Sequence, residues 1–354
     1  MKLKLFATLA VCGTMLISCN EGKFKENSLN GVGTEVSKTQ NGTIEFKDGT
    51  FHFSTLAAFE EFSAKLLKEE SFRALVSEKY GRNLLVNKID DPSISEKDRH
   101  ILDNTPSQYP YILNKEGGYV LGDKYFAFGM EAQYVVDINK KNQIDWTNEK
   151  SIDRTQLRAF SYGRTSNIVK TSDSNARLDV GRNQKSFGGA QHEFVQQSPV
   201  SGDRKWVDEV DALDIYLGTA QDPNQPWNQT WYDKFEIVLV FKAKLEYKSN
   251  GSWKPAGNNR TITPYIDHSL SIGPSPANAT VLYTNYKIGT SCCVSNQPVP
   301  VTGTTDWQAE THSSYLDKTG QHFNSLLYIT GSGSFKHEIV GDSPSNVWFR
   351  TFTW

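Results

Sequence analysis

The run Phe235-Glu-Ile-Val-Leu-Val-Phe-Lys-Ala-Lys-Leu-Glu-Tyr247 restricts the fold more than any other stretch of the chain. Its β-branched and aromatic residues, alternating with Lys and Glu, read as one long strand. Ser249-Asn-Gly-Ser252 turns the chain back through Trp253 into a second alternating run, Arg260–Ile266. Further runs follow at Thr280–Ile288, Phe323–Ile329 and Val347–Trp354, divided by Gly and Pro clusters. Strands in this rhythm, with no helices between them, predict a β-sandwich. Aromatic residues make up 12% of the chain although hydrophobic residues reach only 37%, which fits a β-rich exported protein with aromatic cores. One segment allows two readings: Trp206, Val210, Leu213 and Leu217 suit a helix, whereas Leu213, Ile215 and Leu217 suit a strand.

The earlier part of the chain has a different texture. Thr43–Phe53 alternates on both sides of Asp48-Gly49, a two-residue hairpin signal. Ser54 or Thr55 then caps a helix whose apolar stripe is Leu56, Phe59, Phe62 and Leu66. A second helix after Ser71 aligns Phe72, Leu75, Val76 and Tyr80 before a stop at Gly81. Both stripes read as core faces. Pro92, Pro106 and Pro110 break the following stretch, leaving one short helix within Ser93–Leu102. Tyr111–Asn114, a turn at Lys115–Gly118 and Tyr119–Phe128 read as a hairpin, followed by a strand over Ala132–Ile138. The expected layout is a signal peptide (1–18), a flexible tether (19–42), a small α+β module with two amphipathic helices (43–112) and a β-sandwich-like domain (113–354). The fold class is mainly β, with a small α+β N-terminal module.

At the N-terminus, Lys2 and Lys4 precede an apolar run from Leu5 to Ile17, too short to remain as a spanning helix. Leu16-Ile17-Ser18-Cys19 resembles the lipobox of bacterial lipoproteins. That resemblance implies a diacylglycerol thioether on Cys19, cleavage before it and acylation of the new amine. The several chains, palmitate among them, would hold the protein stably on a membrane. Asn20, in place of Asp, points to the outer membrane. Asp48-Gly-Thr-Phe-His-Phe53 running into a Phe-rich helix, and Leu113-Asn-Lys-Glu-Gly-Gly-Tyr-Val-Leu-Gly-Asp-Lys-Tyr125, resemble an uncharacterised family of Bacteroidetes-type outer-membrane lipoproteins. The resemblance runs from Cys19 to about residue 140. The family has no assigned activity, so it implies compartment and layout only.

Beyond residue 18 the chain carries 36 basic and 40 acidic side chains, a balance that argues against nucleic acid as a partner. Cys292 and Cys293 are the only thiols left after Cys19. In an oxidising compartment they would pair, and a vicinal bond between Cα atoms about 3.8 Å apart would be strained and reducible. A redox switch, a stiff ligand loop, a plain staple and two idle thiols all fit that sequence. No zinc spacing surrounds the pair. The seven histidines form no His-Glu-x-x-His, and no Gly-x-Ser-x-Gly is present. Asp267-His268 and the series His312, Asp317, His322 are the candidates for a general base or metal site; the acidic cluster Asp208, Glu209, Asp211, Asp214 lacks the spacing of a calcium loop. No metal, cofactor or catalytic residue is assigned. At the C-terminus Arg350 shares a strand face with Trp348, Phe352 and Trp354, which suits a closing strand of a sandwich rather than of a membrane barrel.

Asp222-Pro-Asn-Gln-Pro-Trp-Asn-Gln-Thr-Trp-Tyr-Asp233 is the local feature with the clearest chemistry. Trp227, Trp231 and Tyr232 sit among amides and prolines, where aromatic faces stack on sugar rings while Asn, Gln and Asp bond their hydroxyls. The competing arrangement folds both tryptophans inward as a plug over the core. The expected role is a lipid-anchored envelope module that binds a glycan or an envelope protein without catalysis. Two other classes stay open: a secreted hydrolase using Asp267, His268 or His312, and a structural subunit joined through an exposed strand edge.

Overall fold

The computed structural model describes residues 35–39, 41–146, 148–153, 155, 157–161, 176–179, 184–198, 200–273, 279–288, 297–318 and 326–353. The signal peptide, Cys19, Cys292, Cys293 and His322 lie outside these residues, as do the side chains of Asp267 and His268. The protein is mainly β.

Strand β1 (Glu35–Thr39) pairs with β2 (Gly42–Lys47), so the tether expected up to residue 42 gives way to sheet by Glu35. The hairpin from β2 to β3 (Thr50–Phe53) forms as the sequence predicts: Asp48 and Gly49 take φ of 51° and 75°, the two positive values of a type I′ turn. Thr55 is the N-cap of α1 (Leu56–Lys68), its hydroxyl accepting the Ala58 N–H. Phe59, Phe62 and Leu66 are buried on one side of α1, and Phe62 meets Phe51 with ring centroids 5.1 Å apart. Helix α2 (Glu70–Tyr80) buries Phe72 and Val76. Leu75, expected on the same stripe, is 54% exposed, because the helix is held by one narrow edge only. Gly81 stays right-handed (φ −51°) and continues into a 3₁₀ turn. After α3 (Glu96–Asp103), capped by Ser95, the chain reaches β4 (Gly118–Leu121), which lies parallel to β3. A parallel neighbour needs a crossover, and the helices supply it.

Tyr111–Asn114 is not a strand: Tyr109–Tyr111 is a 3₁₀ turn, and the Asn114 carboxamide oxygen accepts the N–H groups of Glu116 and Gly118. The hairpin lies within the following run, β4 to β5 (Lys124–Phe128), turning at Gly122-Asp123. Strands β6 (Ala132–Asp137) and β7 (Arg158–Ser161) complete a seven-stranded sheet in chain order. That sheet crosses the boundary expected at 112/113, because the 118–161 strands extend the N-terminal module instead of opening the sandwich.

The rest is strand: β8 (Ala176–Asp179), β9 (Gln184–Gln196), β10 (Gly202–Gln221), β11 (Trp231–Ser249), β12 (Ser252–Pro255), β13 (Arg260–Gly273), β14 (Ala279–Ile288), β15 (Val299–Val301), β16 (Trp307–Asp317), β17 (Leu326–Ile339) and β18 (Trp348–Thr353). They make a sheet ordered β14-β16-β11-β10-β9, with β12 on β11, and a sheet ordered β15-β13-β17-β18, with β8 on β17. The two face each other through Trp206 on His337 (4.6 Å) and Trp307 on Phe335 (5.6 Å). The 202–221 segment is therefore strand, paired on both sides with β9 and β11. At Leu217 a bulge shifts its register. There Gln133 of β6 bonds the backbone of Tyr216 in both directions, donating to the carbonyl at 2.8 Å and accepting the N–H at 3.0 Å. Among the described residues no helix is long and apolar enough to cross a membrane.

Candidate functional site

The hairpin from β10 to β11 closes through Asp222–Thr230, and its side chains explain its shape. Asp222 is buried; one carboxylate oxygen accepts the Asn224 N–H at 2.9 Å, and the other pairs with Lys318 Nζ at 2.6 Å. The Gln225 N–H reaches the Asp222 carbonyl and the Asn228 N–H reaches the Gln225 carbonyl, two successive turns. Asn228 then fastens the far side: its oxygen accepts from the Thr230 N–H and hydroxyl, and its Nδ2 donates to the Tyr232 hydroxyl at 3.1 Å. Pro223 and Pro226 fix two further φ angles.

This leaves Trp227 78% exposed and Trp231 63% exposed. The inward plug is thus not what forms, since the polar links hold the loop away from the core. Tyr232 sits apart from the two tryptophans: half-buried, it lies over Lys318 and receives the Asn228 amide, so it fastens the loop from beneath. The polar side chains also divide differently from the expectation. Asp222 and Asn228 are engaged inside the loop, whereas Asn224 and Gln229 are exposed on the same loop as the tryptophans.

Of the histidine candidates, His312 lies among the described side chains, and it is an interior group. His312 is 1% exposed, with Nδ1 2.9 Å from Glu236 and Nε2 3.3 Å from Glu310. Burial alone would lower its pKa; the hydrogen bonds and charges of Glu236 and Glu310 outweigh it and raise it to about 9. Burial likewise opposes ionisation of Glu310, but His312 and the Ser107 N–H and hydroxyl hold its pKa below the usual value. Asp317 does not join this group. It lies five residues from His312, and strand alternation sends the two to opposite faces of β16. Glu310 lies two residues from His312, and that spacing is the signal by which the sequence could have revealed the contact.

Alternation also divides the acidic cluster. Asp208 points between the sheets, 3.0 Å from His337 Nε2 and 3.6 Å from Arg350, while Glu209 faces the other way toward Lys244. His337 lies between the rings of Trp206 and Trp348. Arg350 does share the inward face with Trp348, as predicted. Burial pushes Asp214 up to about 8, opposed by the hydroxyl of Tyr315 and assisted by Asp317. Asp208, Asp214, Glu310, His312 and His337 are each 3% exposed or less. A cleft of about 330 Å³ opens elsewhere, at the β17–β18 turn, lined by Thr261, Glu338, Val340, Asp342, Asn346 and Val347. None of the candidate site residues named from the sequence lines it. Among the described residues no group of three or more His, Cys, Asp or Glu is placed to hold a metal ion. Strand β18 ends its sheet and pairs only with β17 among them.

Fold and site together define a mainly β protein that presents a fastened aromatic loop at one end of a long hairpin. No protein-family model matches the chain, and no curated protein matches it. Among solved structures it is similar to a DUF4848 family protein from Bacteroides thetaiotaomicron, at 11% identity and a TM-score of 0.19, over 90% of this chain and 100% of that one. A likeness that low transfers neither fold nor role.

Proposed function

We propose that the protein is a lipid-anchored envelope module that binds glycans through Trp227 and Trp231 without chemistry of its own. The anchor rests on Cys19 and the apolar run before it, and outer-membrane placement rests on Asn20. The binding role rests on one observation: two tryptophans stand mostly in solvent on a loop whose hydrogen bonds already fix its conformation. Large exposed aromatics are costly to keep in water unless something covers them, and a loop ordered in advance loses little entropy on binding. Sugar rings match such faces, and Asn224 and Gln229 are exposed on the same loop to meet hydroxyls. The hydrolase reading draws less support, because its described candidate, His312, is sealed and charged at neutral pH, which suits neither substrate access nor a general base. The test is a glycan array probed with the protein and with the Trp227→Ala/Trp231→Ala variant. Binding by the parent that disappears in the variant, with an unchanged unfolding transition, is the expected result; a parent that binds no glycan removes the reading.

A further inference from the structure

The charges around the platform narrow the class of glycan it can take. The loop from Pro223 to Trp231 contains no Lys, Arg, Asp or Glu. Among the described residues three cations flank it, and each already has a carboxylate: Lys318 meets Asp222 at 2.6 Å, Arg158 meets Asp233 at 2.9 Å, and Lys234 meets Glu60 at 2.5 Å. Asp222 and Asp233 are largely buried, at 1% and 11% exposure. A sulfate or uronate drawing Lys318 toward the surface would leave Asp222 buried without its cation, a strongly unfavourable exchange, while Arg158, 45% exposed, has two of its N–H donors committed to Asp233 at 3.1 and 2.9 Å. Arg158 is further held by the Tyr216 hydroxyl at 3.1 Å and lies over the rings of Phe160 and Tyr216. Strands β14 and β16 end level with this hairpin, Asp317 pairing with both Asp233 and Ala279. The sequence before Ala279 (274–278) and after Lys318 (319–325) adds no Asp, Glu, Lys or Arg.

We infer that the platform selects uncharged pyranose polymers, whose ring hydrogens stack on Trp227 and Trp231 and whose hydroxyls meet Asn224 and Gln229. This rests on the glycan reading above and adds the exclusion of acidic and cationic ligands. Stacking is local and weakly screened, whereas binding through exposed charges falls as the screening length shortens from about 10 Å at 0.1 M salt to about 3 Å at 1 M.

The experiment titrates the full chain with a neutral glucan, a neutral galactan, a polyuronate and a sulfated polysaccharide, at about 0.1 M and about 1 M salt. Expected are a neutral polymer that binds with a Kd changed less than about twofold by salt, loss of that binding in Trp227→Ala, and no binding of the polyuronate or sulfated chain. An acidic polymer that binds through the tryptophans and weakens steeply with salt overturns the charge selection while leaving the glycan reading standing. Competition by tetramethylammonium would also overturn it, since a cation over the tryptophan faces is a different ligand class. No binding by any polymer, at either salt concentration, removes both.

Discussion

Replacing His312 by Gln tests whether the sealed Glu236–His312–Glu310 group behaves as a buried ion cluster. Its folded pKa of about 9 stands above the unfolded value of about 6.5, so the native state binds the extra proton. The associated stability is fully present below pH 6.5 and is lost as pH rises through 9. At 1.36 kcal/mol per unit, that shift amounts to about 3 kcal/mol, and burial at 1% leaves no solvent screening to discount it. The assay is urea unfolding of parent and His312→Gln across pH 6 to pH 10, with stability extrapolated to water. The parent should exceed the variant most at pH 6, and the gap should narrow by about 3 kcal/mol by pH 10. A gap constant with pH would refute the reasoning, because His312 would then bind its proton equally well in the folded and unfolded states.

Two further outcomes check other parts of the structure. Asp222→Ala removes the carboxylate that holds Asn224 and Lys318, so glycan affinity should fall about tenfold with both tryptophans in place, measured by calorimetric titration against the parent; unchanged affinity would show that the fastening is irrelevant to binding. Cys19→Ala should move the protein from the membrane fraction to the soluble fraction and abolish palmitate labelling, and retention in the membrane would remove the anchor.

Much of the fold was legible wherever a local rule governed it. Asp48-Gly49 named its turn, Ser54-Thr55 narrowed the cap to two residues of which Thr55 serves, and Phe235–Tyr247 named its strand, because each depends on neighbours in sequence. The hairpin over 111–128 was misplaced because Asn114 ties down a turn with its side chain, and because the real turn, Gly122-Asp123, lies inside what reads as one unbroken strand. The 202–221 segment stayed ambiguous because Trp206 and Leu213 fit either period; the choice was made by pairing with β9 and β11, which are distant in sequence. In the candidate site, the tryptophans were found from composition alone. Their outward placement was not, since it depends on Asp222 meeting Lys318, just past the end of β16 and almost a hundred residues further on. Glu236 escaped notice for the same reason.

The two bonds between Gln133 and the Tyr216 backbone make a side-chain amide act as a strand neighbour where the β10 bulge interrupts the ladder. Peeling the seven-stranded sheet away would break both bonds and also strip the Phe126 and Phe160 rings from Tyr216, on which they stack. Neither half can therefore loosen cheaply while the other stays intact. Heat or denaturant should meet a single cooperative unit spanning both, and the Tyr216 amide should exchange its hydrogen only when the whole unit opens.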